Sequence, residues 1–304
     1  MKHTETYTSC LHTHVRFHIY QPLVVLRIKG IIQVHHGLCE HADRYDHFAS
    51  FLANQGYIVV VSDFVGHGES LIDFEQGYFG EKNGSDGLVK DMFHLYETMR
   101  IRDEEAPYYM LGVDIGSLFV RKFISQYGDY VQGAILLETP GNIKHTKLNR
   151  SIIRLFKMTK GTRYHSKVLH NNFNRNNNRK AHKMKKMSWY TSDHYQRQIY
   201  LDDPMTHFAY TIKGYEDILD TLIEVNSSSS IKSIPQYLPI YMGVGSDDVL
   251  SDNSHSLYLK YKKHGIEDLT YEIFEGFRHA ILFETDRRAV YQSILQWLNE
   301  RTYL

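Results

Sequence analysis

The stretch Tyr108-Tyr109-Met110-Leu111-Gly112-Val113-Asp114-Ile115-Gly116-Ser117 sets an acid between two glycines at the end of a short apolar run. Leu118, Phe119, Val120, Phe123 and Ile124 follow at helical spacing. The pattern predicts a strand, a tight turn and a helix, with the residue at the apex lifted above the sheet edge. Glycine on both sides lets the turn be sharp and the helix pack close to the strand. A side chain held in that way is placed to attack a bound molecule, and here it is a carboxylate.

An attacking group of this kind needs a base and an acid that orients the base, and chain order nucleophile, acid, histidine is one that recurs. Gly245-Ser246-Asp247-Asp248-Val249-Leu250 follows one apolar run and offers the acid. Glu275-Gly276-Phe277-Arg278-His279-Ala280 follows the next and offers the histidine. With 19 histidines in the chain, residue type alone singles out none. Position at a strand end, in the expected order, singles out His279 as base, with Asp248 favoured over Asp247 to hold its tautomer and orientation. Two backbone N–H groups must receive the oxygen that becomes charged, one just after the apex residue and one from an earlier loop. Ile115 and Leu38 occupy those places. Cys39 lies in the same loop, and its plainer reading is a small apolar filler. Ser117 falls a turn into the helix and points away from the apex. Gly66, His67 and Gly68 shape a loop, and Trp189 reads as packing. No metal or cofactor is expected.

The elements that position these residues are legible as a rhythm. Residues 5–20 alternate weakly and read as edge strands. Gly30–Val34 and Tyr57–Val61 are β-branched runs that suit buried strands. Between them runs a helix carrying Tyr45, Phe48, Phe51 and Leu52 on one face and closed by Gly56. A helix over Gly87–Arg102, the apex strand and helix, and a strand over Val131–Leu137 complete a β-α-β-α-β-α-β half. That order implies a parallel sheet with helices on both faces, whose chemistry sits at the carboxyl ends of the strands. The rhythm breaks over 141–231, then resumes with a strand at Pro239–Val244, a helix at about 252–264, a strand at Thr270–Phe274 and a helix at about 286–301. The reading is therefore a core made of 1–140 and 232–304, with 141–231 inserted as a basic lid. Ser227-Ser228-Ser229-Ser230 reads as a flexible end to that insert.

At 304 residues the chain can bury a full core. Its formal charge is zero, but fourteen Lys or Arg and no Asp or Glu fall between Lys144 and Met187. That bias fits a solvated surface or attraction to anionic lipid. Nucleic acid is not expected, because no recognition fold accompanies the charge. Two cysteines, Cys10 and Cys39, make no disulfide framework. The first residues lack the apolar core of a signal peptide, and no run nears ~18 apolar residues, so a cytoplasmic location is expected.

Taken together, His36-Gly37-Leu38-Cys39-Glu40-His41, Arg44-Tyr45-Asp46-His47-Phe48, Asp63-Phe64-Val65-Gly66-His67-Gly68-Glu69-Ser70, the apex segment and Glu275-Gly276-Phe277-Arg278-His279 resemble the monoacylglycerol lipase and lysophospholipase branch of the α/β-hydrolases, S33-type hydrolases among them. Ser188–Asp193 and Asp202-Asp203-Pro204 extend the likeness, which covers about residues 10–300. The resemblance implies an α/β-hydrolase fold: a mostly parallel eight-stranded sheet with helices on both faces and a helical lid over an acyl-chain pocket. It also implies serine-dependent hydrolysis of lipid or other carboxylic esters without a cofactor.

Members of that branch read Gly-His-Ser-Met-Gly-Ser where this chain has Gly112-Val113-Asp114-Ile115-Gly116-Ser117. A carboxylate that attacks an ester forms a mixed anhydride, a better leaving group than the alcohol just expelled, so the step reverses. Three functions follow as expectations. The first is a relative with weak or lost ester hydrolysis that keeps a lipid or ester-like ligand pocket. The second is a hydrolase that forms an alkyl ester on Asp114, as the haloalkane dehalogenases and epoxide hydrolases of the same fold do. The third is residual carboxylesterase activity by another route. Dehalogenases and epoxide hydrolases usually place Trp after the aspartate, where this chain has Ile115.

Overall fold

The computed structural model describes residues 1–23, 27–141, 146–171, 187–250 and 253–302. One eight-stranded sheet runs through it in the order β1-β2-β4-β3-β5-β6-β7-β8. The strands are β1 (Lys2–Thr8), β2 (His14–Tyr20), β3 (Ile31–His35), β4 (Ile58–Ser62), β5 (Tyr108–Val113), β6 (Gly133–Leu137), β7 (Ile240–Gly245) and β8 (Leu269–Phe274). β2 pairs antiparallel with β1 and β4, and every other pairing is parallel.

Parallel strands must be covered on both faces, and their sequences show it. Every residue of β3, β4, β5 and β6 is buried. Alternate residues feed opposite layers. Val60, Tyr108 and Met110 join one apolar cluster, which α2 (Gly84–Arg102), α3 (Ile115–Tyr127) and α8 (Ser254–His264) complete. Val59, Val61, Tyr109 and Leu111 join the other, closed by α1 (Asp46–Asn54) and α9 (Arg288–Asn299). α1 shows why such a segment is a helix: Phe48, Ala49, Leu52 and Ala53 form one buried face. It ends where Gly56 takes a φ of 99°. Removing the Leu52 side chain from that face would cost ~2–5 kcal/mol.

Between β6 and β7 the described residues form α4 (Thr146–Lys160), α5 (His194–Asp202), α6 (Ile212–Val225) and α7 (Ser228–Lys232). α4 packs on α6, and α6 on α3, so this insert rests on the helix that follows β5. All of the Asn-rich run but Asn171, and six of the fourteen basic residues, fall in 172–186 and lie outside the described residues. The serine stretch differs from expectation. Ser227 caps α7, its hydroxyl accepting the N–H of Ser230, so the run is a helix start and not a loose end. The expected edge meander at 5–20 is two strands, the first beginning at Lys2.

Candidate active site

β5 ends at Val113, and Asp114 turns the chain into α3 with φ 48° and ψ −114°. The turn is tight because the flanking glycines leave no room for a side chain: a Cβ on Gly116 would lie 2.3 Å from the His35 carbonyl oxygen, and one on Gly112 2.5 Å from that of Gly116. The Asp114 N–H is held by Leu137 O at 3.0 Å, which ties the apex to β6. Its side chain is 12% exposed. Ser117, which was expected to point away, is buried and donates its hydroxyl to the Asp114 carbonyl.

The loop after β3 reaches over this apex. Leu38 donates its N–H to Asp114 Oδ2 at 3.0 Å. The loop itself is fixed by Glu40, whose Oε2 accepts the Gly37 N–H at 3.1 Å and the Tyr45 hydroxyl. Burial alone would raise the Glu40 carboxyl, but Arg44 and the hydroxyls of Tyr190 and Tyr45 outweigh it and hold it below its usual range. His36 Nε2 accepts the Phe64 N–H at 3.0 Å and joins this loop to the one after β4. Ile115 begins α3, and its side chain lines the cavity described below.

The loops after β7 and β8 bring the other two residues. His279 Nδ1 lies 3.0 Å from each oxygen of Asp248. Asp247 is exposed and makes no such contact, so Asp248 is the acid that meets the histidine. His279 Nε2 stands 3.8 Å from Asp114 Oδ2, too far for a direct hydrogen bond. The insert clamps this loop: Ala280 donates its N–H to Tyr190 O at 2.7 Å, and Arg278 reaches Ser188 O at 2.8 Å. Trp189 is buried, its ring 5.5 Å from that of His279. Burial pulls the His279 pKa down, but Asp248, Asp114 and Glu138 outweigh it and lift it well above the usual histidine range.

Glu138 is the residue that sequence reasoning missed. It follows β6 directly, is buried, and places Oε2 3.8 Å from His279 Nε2. A carboxyl immediately after the buried run Gly133–Leu137 was the available signal, since that sheet edge carries the other acids.

Asp114 forms part of the wall of a cavity of about 190 Å³. Leu118, Tyr200, Ile218 and Leu222 are among its apolar lining residues, and Asp114 is its one carboxylate among the described lining residues. Cys39 also lines it, with its Sγ on Phe208 O at 3.1 Å. Burial and the nearby Asp114 and Glu40 carboxylates push that thiol well up, which keeps it protonated and unreactive. Among the described residues, no group of His, Cys, Asp and Glu is arranged to hold a metal.

An eight-stranded sheet of this order, with an apex after β5 and an acid and a histidine after β7 and β8, defines an α/β-hydrolase fold. The chain belongs to the Hydrolase_4 family, serine aminopeptidase S33, which it matches over residues 27–286. It is 24% identical over 285 residues to the monoglyceride lipase of Mus musculus, covering 90% of this chain and 83% of that protein. Among solved structures, a thermostable carboxyl esterase from Bacillus coagulans in complex with glycerol superposes with a TM-score of 0.91 at 22% identity, covering 99% of both chains. A soluble variant of the Saccharomyces cerevisiae monoglyceride lipase, in complex with a substrate analog, superposes at 0.78 with 18% identity, covering 99% of this chain and 95% of that one.

Proposed function

We propose that this protein is a monoglyceride-lipase-like member of its family that binds a lipid or ester-like small molecule. In this reading Asp114 stands in the nucleophile's place, so that ester hydrolysis is weak or lost. One contact carries it. The N–H of Leu38, which an ester's carbonyl oxygen would need, is taken by Asp114 Oδ2 at 3.0 Å. An ester entering the site meets an occupied donor and a carboxylate whose attack reverses through the anhydride. The apolar cavity beside Asp114 supports retention of a ligand. Residues 141–231 act as its lid, since Trp189, Tyr200, Ile218 and Leu222 come from that segment. Catalytic ancestry is carried by Asp114, Asp248 and His279, with Leu38 and Ile115 as the backbone donors.

The test pairs the natural protein with Asp114→Ser on short- and medium-chain p-nitrophenyl esters. Loss of a nucleophilic serine costs on the order of a million-fold in related machinery, so restoring it gives a gain of at least ~100-fold once the pH is high enough for His279 to be neutral. Ready turnover by the natural protein would overturn the reading.

The same contact also favours a second reading. If Asp114 attacks a saturated carbon, a halide or alkoxide leaves and an alkyl ester forms on Asp114. Water then adds to its Cγ, His279 Nε2 takes the water's proton, and the oxygen that becomes charged is Asp114's own, already at the Leu38 N–H. Collapse expels the alcohol and returns the proton. Intact mass of His279→Ala after exposure to long-chain epoxides or haloalkanes decides this: a substrate-sized adduct supports it, and an unlabelled protein removes it.

The lid also offers a surface for anionic membranes. On α4, Leu155 is 60% and Met158 80% exposed beside Arg154 and Lys157, the mixture of apolar and basic side chains that such surfaces attract.

A further inference from the structure

We propose that Glu138 is a working residue of this site: a positioning acid that acts through His279 and exchanges the role of counter-ion with Asp114. Three independent features meet on it. Its backbone has φ 55°, in the left-handed region that favours glycine. Its side chain is 2% exposed. Its two oxygens are committed in different directions, Oε1 accepting the Ile281 N–H at 2.8 Å and Oε2 standing 3.8 Å from His279 Nε2. A cap for one N–H requires neither a strained backbone nor an ionisable group. Strain of this kind persists where the surroundings over-determine it, and it gathers at working sites.

Counting charge gives the role. His279 is faced by Asp114 from the turn after β5, Glu138 after β6 and Asp248 after β7. Glu40, from the loop after β3, is paired with Arg44, and Tyr45 faces the same side as a neutral hydroxyl. Were all three carboxyls ionised around an imidazolium, a buried site would carry two uncompensated charges. Burial pushes the Glu138 carboxyl well above its usual range, so Glu138 keeps its proton and one net negative charge remains. When Asp114 loses its charge, the Glu138 proton leaves to solvent and its carboxylate takes over beside His279. Net charge is the same before and after, and His279 stays an imidazolium. Held that way it cannot take a proton from an attacking group, which deepens the reading that ester hydrolysis is lost and rests on it.

Nitrogen-detected NMR titration of His279 in ¹⁵N-histidine-labelled full-length protein tests this without needing any activity. The set is the natural chain, Asp114→Asn, Glu138→Gln and the double variant, with Glu138→Gly as the replacement should the glutamine variant not fold. The expected result is that either single change moves the His279 pKa little, whereas both together lower it by more than about one unit. In the Asp114→Ser background, Glu138→Gln lowers the pH at which esterase activity rises by a similar amount. A shift from Glu138→Gln alone as large as that from both changes means that Glu138 is ionised at rest and overturns the proposal. So does a double variant that titrates like Asp114→Asn, because Glu138 is then silent. Absence of esterase activity in Asp114→Ser combined with Glu138→Gln, where neither carboxylate holds the proton on His279, counts against the ligand-pocket reading and leaves the NMR result to decide on Glu138.

Discussion

The N–H of Leu38 points at Oδ2 of Asp114, 3.0 Å away, across the mouth of the apex turn. A donor aimed at a side chain of its own protein is not available to a substrate. Removing the side chain frees it and also removes the one carboxylate of the described cavity wall. Asp114→Ala is therefore expected to bind a non-hydrolysable ester analogue about three- to tenfold more tightly than the natural protein. That matches the ~0.5–1.5 kcal/mol of one recovered neutral hydrogen bond. Isothermal calorimetry reads it directly, and equal or weaker binding would contradict the occupied-donor account.

Stability should fall with rising pH through His279. Its folded pKa is raised by Asp248, Asp114 and Glu138 against the opposing pull of burial. A raised histidine pKa adds stability that is fully present below the unfolded value, ~6.5, and is lost as pH climbs through the folded value. Denaturant melts of the natural protein and His279→Gln should thus converge as pH rises above ~6.5. A stability gap that stays constant from pH 6 to 9 would show that His279 is not charged in the folded protein.

Glu138 carries the same sign for a different reason. Burial raises its carboxyl, so relative to an unfolded chain that ionises at ~4.3 it costs stability progressively as pH rises. Glu138→Gln keeps an acceptor for Ile281 and titrates nowhere. It should match the natural protein near pH ~4 and become the more stable of the two as the pH rises to ~7, which denaturant melts at the two pH values read directly. Residues retained at such a cost are the ones whose replacement stabilises while altering function.

The exposed apolar side chains of α4 make a separate forecast. Leu155→Ser with Met158→Ser should cut co-sedimentation with phosphatidylserine-rich vesicles at least fivefold at low salt, since each large apolar side chain contributes ~1.5–3 kcal/mol when fully buried. Binding that is absent in the natural protein, or unchanged in the variant, removes the membrane role of this helix.

Much of the site is visible in the chain because each residue lies at or within a few positions of the end of a strand: Asp114 directly after β5, Asp248 three residues past β7 and His279 five past β8. Asp114, Asp248 and His279 were identified in that way, and the structure sets His279 between the two acids. Leu38 could be located only as a loop position, because its role lies in its backbone. Glu138 escaped because ionisable side chains are almost never fully buried, so an acid beside Thr139 and Pro140 looks like a solvated turn. β1 has an exposed or half-exposed face at every position, so its apolar signal is too thin to mark where it starts. The serines at 227–230 misled because one residue type serves both as loose chain and as helix cap.

β6 and β7 lie side by side, with Ile135 opposite Tyr241, although the whole segment 141–231 separates them in sequence. The two strands are parallel, so the excursion leaves at the carboxyl end of β6, where Asp114 and His279 also lie, and has to come back along the length of a strand to enter β7 at its amino end. If that excursion is the lid proposed above, its first residues open directly over the reacting groups, and replacing them alters what the molecule recognises while the strands beneath keep their partners.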